Sequence, residues 1–317
     1  MRIGFAVKVL GKEGIKSHDA RRHASNPHLS ESIKYAHEVF DYLGEVGISM
    51  YRFSSDFAPY LTHPDMPQFH NQLKECRSEL EALGARAREM NLRLSFHPSQ
   101  YIILNAPNET LVETSMRDFA AQAEILDIMG QGDEAVIVTH VGGVYGDPDA
   151  AMQRFINNHK RLGEPARRRL VLENDDKSYG VRDTLKIHEG CGIRLIWDHQ
   201  HHTCCNPNGM SYFDGCCASL KTWPTDCRPK IHFSSPRQEN RTVIRMDKAT
   251  GKKKAFECAP LPTQHADTID EETFIPFARE VLGNCREFDV MVEAKSKDLA
   301  VFKLKEALAK AGGFNVE

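Results

Sequence analysis

The feature that most limits the fold of this chain is a repeated alternation. Eight short, nearly continuous apolar runs occur along it, separated by stretches of helical period. The runs are RIGFAV (2–7), MYRFSS (50–55), LRLSFH (92–97), AVIVTH (135–140), RLVLEN (169–174), IRLIWD (193–198), KIHFSS (230–235) and DVMVEAK (289–295). They are rich in β-branched and aromatic residues, as strands buried on both faces are. Between the first two, LSESIKYAHEVFDYLGEVG places Ile33, Ala36, Val39, Phe40 and Leu43 on one helical face. NETLVETSMRDFAAQAEILDIMG opens on an asparagine cap and aligns Leu111, Met116, Phe119 and Ala123. TIDEETFIPFAREVLGN carries Thr268 and Glu271 at capping-box spacing, and KDLAVFKLKEALAKAGG ends on glycines.

Eight strand–helix units imply an α/β fold, the (β/α)8 or TIM barrel, with long loops on its C-terminal face. An open doubly wound sheet is the alternative, but no glycine-rich phosphate loop follows the first run. The 317 residues, 41% of them hydrophobic, suit one large barrel, so a single domain over 1–317 is expected. A formal net charge of −3 excludes a global basic field, and any nucleic-acid partner must be held by a local patch. No apolar run reaches membrane-span length, and the opening MRIGFAVKVLG is too soon interrupted by charge for a secretory signal. Nine scattered cysteines read as reduced thiols of a cytoplasmic protein. The group Cys204, Cys205, Cys216, Cys217 and Cys227 lacks C-x-x-C pairs, and buried or reduced thiols are the expectation over a zinc site.

In such a barrel the active site lies at the C-terminal strand ends. Strand three ends in His97, strand four in His140 and strand five in Glu173. Strand six ends in Asp198, with His201 three residues on. Strand seven carries Lys230 and His232 on one side, and the last strand carries Glu293. His63 and His265 can join them from flanking loops. A single strand-end histidine is usually structural, and Glu173 or Asp198 alone could be a helix cap. Six consecutive strands delivering such groups to one rim is different, because buried carboxylates and imidazoles need compensating charge. Imidazole and carboxylate without thiolate suit Mn2+, Zn2+ or Fe2+. So many ligands exceed one tetrahedral site, and two or more ions follow. Two ions about 3.5–4 Å apart clamp the attacking and leaving oxygens of a phosphodiester.

With these residues in place, the sequence resembles the UV damage endonucleases, metal-dependent DNA repair nucleases on a barrel like that of endonuclease IV. The matching segments are FHPSQY, THVGG, LEND, WDHQHH, KIHFSS and VEAKSKD. The resemblance implies hydrolysis of damaged double-stranded DNA immediately 5′ to a pyrimidine dimer, 6-4 photoproduct or other lesion. It implies His97, His140, Glu173, Asp198, His201, His232, His265 and Glu293 as metal ligands, with His63 of YLTHP as a further one. Two or three ions are expected, Mn2+ foremost and Zn2+ as the alternative. Glu173, Asp198 and Lys230 would be catalytic, and Lys230 matches a lysine that can be carboxylated in the family. Gln100 and Tyr101 match a pair that pushes into the duplex opposite the lesion. The chain departs from the family after strand one, where Phe5 and Val9 replace a tyrosine and an asparagine near the lesion. Phe5 is expected to keep a stacking role without the hydroxyl.

The loop between strands seven and eight is longer than the family pattern, a basic insertion at about 236–268. Arg237, Arg241, Arg245, Lys248, Lys252, Lys253 and Lys254 face only Glu239 and Asp247 as opposing charges. VIRMDKATGKKKAF reads as a hairpin turning near Gly251, suited to holding phosphates through Arg237, Arg241 and Lys252–Lys254. A solvated loop is the plain alternative. Two rival functions remain at this stage. One is a sugar isomerase or epimerase on a related metal-binding barrel, which has no use for the basic loop or for Gln100–Tyr101. The other is a non-catalytic DNA-binding barrel, against which the full ligand set argues. The expected setting is cytoplasmic, at the nucleoid during repair, with no membrane and no obligate protein partner.

Overall fold

The computed structural model describes residues 1–247 and 250–317, and for Arg241 the backbone alone. Lys248, counted above among the loop cations, lies outside the described residues. Eight parallel strands form the barrel: β1 (Ile3–Ala6), β2 (Met50–Arg52), β3 (Arg93–Phe96), β4 (Val136–Thr139), β5 (Leu170–Glu173), β6 (Arg194–Ile196), β7 (Lys230–Phe233) and β10 (Asp289–Val292). A separate antiparallel pair, β8 (Arg241–Met246) and β9 (Lys253–Cys258), makes the hairpin in the basic loop. The barrel ladder runs β6-β5-β4-β3-β2-β1-β10-β7. Its seam, between β6 and β7, is spanned by one parallel bridge, Asp198 to His232. There the His232 amide donates to the Trp197 carbonyl at 3.0 Å.

Each strand alternates with period two, so one set of side chains enters the barrel and the other meets the helices. Val136, Val138, Val171 and Ile196 pack inside with Trp223 and Cys227, and Ala6, Met50 and Met291 form a second inner layer. Gly4 sits in that layer because β1 and β2 approach closely: a Cβ there would lie 2.2 Å from the Met50 carbonyl oxygen. Phe5, one residue on, points the other way. It is fully buried with its ring centroid 5.5 Å from that of Tyr51, edge to face. This corrects the stacking role expected for Phe5: alternation along β1 commits it to the shell between barrel and helices, out of reach of a DNA base.

The surrounding helices follow their sequence signals with small shifts. Helix Glu109–Ile128 is capped by Asn108, whose side chain accepts from the Leu111 amide at 3.3 Å. Its buried face runs through Val112, Ser115, Phe119, Gln122 and Leu126, which leaves Leu111 52% exposed and off the core side. Helix Glu271–Asn284 is capped by Asp270 accepting from the Glu272 amide at 3.2 Å, not by a Thr268–Glu271 box. An aspartate directly before the first turn accepts from its free amides without a second partner. Helix Lys297–Ala311 closes on Gly312 at φ +66. The hairpin turns as expected, with the Gly251 amide (φ +65) donating to the Asp247 carbonyl at 2.8 Å.

Ion pairs hold the end of the barrel away from these loops. Arg93 Nη1 donates to Asp289 Oδ2 at 2.8 Å, and both side chains are buried. Asp289 also accepts from the Arg2 amide at 2.8 Å and from Arg2 Nη1 at 3.3 Å. Burial would raise the Asp289 carboxyl, but Arg93 and the Arg2 amide hold it below its ordinary value. Removing one partner of such a pair leaves a buried unpaired charge. Asp289→Asn is therefore expected to cost about 3–5 kcal/mol in urea unfolding near neutral pH. The native carboxyl is depressed, so its contribution is complete above the unfolded value of about 3.9 and disappears as pH falls through the folded value. The stability gap between wild type and variant should thus close in acid. A gap that is constant from neutral pH down to acid would refute this role.

Candidate metal centre at the barrel mouth

The catalytic-side ends of β3 to β7 and β10 deliver the expected groups to one place. Glu173, the last residue of β5, is fully buried at its centre. Its two oxygens face different partners. Oε2 lies 3.1 Å from His97 Nε2 and 3.5 Å from His140 Nε2. Oε1 lies 2.9 Å from His232 Nδ1 and 3.5 Å from His201 Nδ1. Candidate ligand atoms of His97, His140 and Glu173 lie within 4.8 Å of one another, as do those of Glu173, Asp198, His232 and Glu293. Glu173 belongs to both sets, the arrangement in which one carboxylate bridges two ions.

The surroundings orient these groups. His97 Nδ1 faces the Pro98 carbonyl at 3.3 Å, which leaves Nε2 for the centre. His201 Nδ1 is 2.9 Å from the Asn174 carbonyl. Carbonyl partners of this kind fix the tautomer of a ligating imidazole. Asp198 caps the short helix His199–Cys204 by accepting the His201 amide at 2.7 Å through Oδ1. Asn174 grips the Asp198 backbone from both sides, accepting its amide at 2.9 Å and donating to its carbonyl at 3.2 Å. Arg52, at the end of β2, pairs with Glu293.

The electrostatics suit cations. Burial opposes ionisation of Glu173, but His232 and His140 outweigh it and hold the carboxyl well below its usual range. Burial pushes the Asp198 carboxyl up against the pull of His201. It also lowers His97 to about 4 despite Glu173, so that imidazole is neutral with a lone pair free at neutral pH. For His201, burial is overcome by Asp198 and Glu173, which raise it to about 9. Asp198 Oδ2, His232 Nε2 and Lys230 Nζ are buried with no hydrogen-bond partner among the described residues. Orphaned atoms of this kind, on ligand types that match a divalent ion, fit a metal centre. Lys230 is fully buried, and burial, then Arg93 and Arg52, press its ammonium well below its ordinary range.

Other expected residues lie further out. The His265 ring centroid is 6.5 Å from that of His201, outside both ligand sets. His63 lines a separate cavity of about 470 Å³ with Asp19, Asp56, Tyr60, Thr62 and Asp118. Its Nδ1 accepts from the Asp65 amide at 3.3 Å. Gln100 and Tyr101 occupy the turn after β3, eight residues before the next helix, with Tyr101 76% exposed. Tyr101 is therefore no helix-start core residue. Arg237 is half-buried and donates through Nε to the Glu239 carbonyl at 3.2 Å, while Lys252, Lys253 and Lys254 are exposed. The nine cysteines are free, and Cys205, Cys216, Cys217 and Cys227 are buried, with none in a metal-ligand group among the described residues. Arg52 and Asn174 were missed in the sequence. Period-two alternation from Met50 would have put Arg52 inside the barrel, but the grip of Asn174 on Asp198 has no sequence signal.

The chain was compared with known proteins. The family model "UV-endonuclease UvdE" matches residues 13–316. A UV DNA damage endonuclease of Bacillus velezensis is 33% identical over 297 residues, which is 93% of this chain and 84% of that protein. One from Bacillus cereus is 32% identical over 309 residues, 97% of this chain and 88% of that one. Among solved structures, SacUVDE superposes with a TM-score of 0.80 at 30% identity, covering 98% of this chain and 99% of that one. The 3-keto-D-glucoside 4-epimerase YcjR of E. coli reaches a TM-score of 0.54 at 14% identity over 98% of each chain, a likeness of fold alone. No helix among the described residues is long and apolar enough to cross a membrane. The likeness to the sugar epimerase stops at the barrel fold, and the chain belongs to the UV-endonuclease UvdE family.

Proposed function

We propose that this protein is a DNA repair endonuclease that hydrolyses the phosphodiester 5′ to UV photoproducts in double-stranded DNA, through a multinuclear metal site. Family membership supports the reaction class. The observation that carries the reading is the shared carboxylate: Glu173 turns one oxygen to His97 and His140 and the other to His232 and His201. In this reading Glu173 would be shared by two ions, one that His97 and His140 would also hold and one that Asp198, His232 and Glu293 would also hold. His201 and His265 extend the set toward a third ion, with His63 as an outer member. Mn2+ is the proposed metal, with Zn2+ as the alternative. Divalent ions at such a site stabilise the charge developing on the phosphodiester and make the attacking water more acidic. The chain's own residues hold the Glu173 carboxylate ionised, keep His97 neutral and fix the ring orientations. Burial presses Lys230 toward the neutral amine, the form that carboxylation by CO2 requires. The protein is proposed to be one catalytic barrel over 1–317 with an inserted basic loop. It would act in the cytoplasm, at the nucleoid, without an obligate protein partner.

With Mn2+, the protein should nick UV-irradiated supercoiled plasmid and should not do so in EDTA. Glu173→Gln or Asp198→Asn should reduce nicking by more than the roughly 10–100-fold typical of a group that only orients a ligand. Metal content should fall while circular dichroism retains the barrel. Wild-type nicking with full metal content in either variant would remove these residues from the centre.

The β8–β9 hairpin is proposed to contact the DNA backbone through Lys252, Lys253 and Lys254, together with Arg237 and Arg241. Neutralising Lys252–Lys254 should weaken binding equally on damaged and undamaged duplex. The slope of log K against log salt should become shallower by about one unit per lost phosphate contact. An unchanged slope would assign the hairpin to solvent.

Gln100 and Tyr101 are proposed as the wedge that fills the gap left by unstacked bases. Base–aromatic stacking is worth roughly 1–3 kcal/mol. The double variant Gln100→Ala, Tyr101→Ala should keep its metals and fold but lose preference for dimer-containing duplex. It should lose less on a duplex already distorted by an abasic gap, where less unstacking remains to be done. Equal losses on both substrates would place the pair in the catalytic scaffold instead.

A further inference from the structure

Two residues beside the candidate metal centre hold strained backbone that their own conformational preferences do not explain. Val7, directly after β1, has φ +65, and the Lys8 amide donates to the Ala6 carbonyl at 2.9 Å. That is a tight γ-turn of the rare, strained hand, and a β-branched residue is among the least suited to it. Lys297, at the first position of helix Lys297–Ala311, has φ +51. β1 and β10 are neighbours in the barrel, so the two strained positions flank one notch of its mouth.

Both are held by buried groups. The Tyr51 hydroxyl donates to the Val7 carbonyl at 2.6 Å, and the Val7 amide donates to the Arg52 carbonyl at 2.9 Å. Asp298, fully buried, accepts the Leu10 amide at 2.9 Å, the Gly11 amide at 2.8 Å and the Tyr42 hydroxyl at 2.6 Å. Asp298 thus ties the segment after Val7 to the helix that Lys297 begins. Strain held this firmly at a site is a reason to look for what it positions.

One strained position directly precedes a lysine and the other is a lysine. Lys8 is exposed and Lys297 half-buried, and neither ammonium has an ion-pair partner among the described residues. Glu293 is already paired with Arg52, so it does not neutralise the two lysines. Lys8 also lines a cavity of about 490 Å³ with Lys16, His18, Asp19 and Arg21, where Asp19 is taken up by Arg21.

We propose that Lys8 and Lys297 form a phosphate subsite on the β1–β10 side of the metal centre, which takes a DNA backbone phosphate neighbouring the one that is cut. This rests on the nuclease reading above and adds to it the residues that register the strand. Both lysines stand on backbone fastened to the same buried groups, and a phosphodiester oxyanion can accept from two ammonium groups that lack carboxylate partners. The γ-turn and the left-handed Lys297 are then the cost of aiming both at the same point.

The test measures binding of an undamaged and a dimer-containing duplex in EDTA, where nothing is cut, across a salt series. Lys8→Ala and Lys297→Gly should each flatten the slope of log K against log salt by about one unit on both duplexes. Their metal content should match wild type, and Lys297→Arg should restore the slope. Glycine accepts φ +51 without strain, so Lys297→Gly should melt at or above the wild-type temperature while binding DNA more weakly. Wild-type slopes in both variants, with wild-type protein binding duplex, would overturn the subsite and leave the nuclease reading standing. A lower melting temperature with unchanged binding in Lys297→Gly would make the residue structural. Failure of wild type to bind duplex at any salt would overturn both.

Discussion

Everything at the mouth of this barrel depends on one constraint: three carboxylates, Glu173, Asp198 and Glu293, are withdrawn from water at the ends of neighbouring or facing strands. Moving a carboxylate into a low-dielectric interior costs several kcal/mol unless charge and hydrogen bonds compensate. Four imidazoles surround Glu173, two on each oxygen, and His232 and His140 give the largest compensation. Around Glu293 it is Arg52 and His232. Asp198 keeps one oxygen on the His201 amide and leaves the other bare. The site is therefore nearly but not fully satisfied by protein groups. That residual deficit, on atoms of the right chemical type and within ligand reach of each other, is what gives a divalent ion a place to bind.

The same groups close the fold. The β6–β7 seam is the weakest point of the barrel ladder, bridged only where Asp198 meets His232. Asn174 on β5's exit holds the Asp198 backbone on the other side. The candidate metal ligands and the closure of the barrel thus share residues, and an ion held there would also tie the seam. The far end of the barrel needs no such help. Arg93 and Arg2 pair there with Asp289 and Glu134, and layers of Val, Ile and Met lie between the two ends.

Around this rigid frame, the parts that would meet DNA are loops of contrasting character. Gln100 and Tyr101 stand out from a short turn that follows His97, with Tyr101 76% exposed. The β8–β9 hairpin stands further out and pairs mainly with itself. Its register puts Val243 opposite Phe256 and Arg245 opposite Lys254, and Lys254 Nζ sits 5.8 Å from the centre of the Phe256 ring. One face of the hairpin therefore combines cations with an aromatic. Ile244, 70% exposed, and Met246 lie on the opposite face. The loop after β1 differs from both, since Asp298 and Tyr51 fasten it to the core.

By itself the sequence determined the barrel and most of the rim. Both follow from local rules: strands buried on two faces must be continuously apolar, and period two puts Lys230 and His232, or Glu173 two residues after Val171, on the same side. The hairpin was legible for the same reason, because turn chemistry at Gly251 and alternating residues are local signals. Tertiary structure alone decided which rim groups converge. It drew His97, His140, Asp198, His232 and Glu293 around Glu173, and it left His63 in the wall of another cavity and His265 at the edge. It also overruled the sequence at Phe5, where the phase of β1 relative to β2, set by the close approach at Gly4, turns the ring into the helix shell. The strained turns at Val7 and Lys297 were invisible beforehand, since no propensity favours them. They exist because Asp298, Tyr42 and Tyr51, distant in sequence, hold the backbone where its own preferences would not take it.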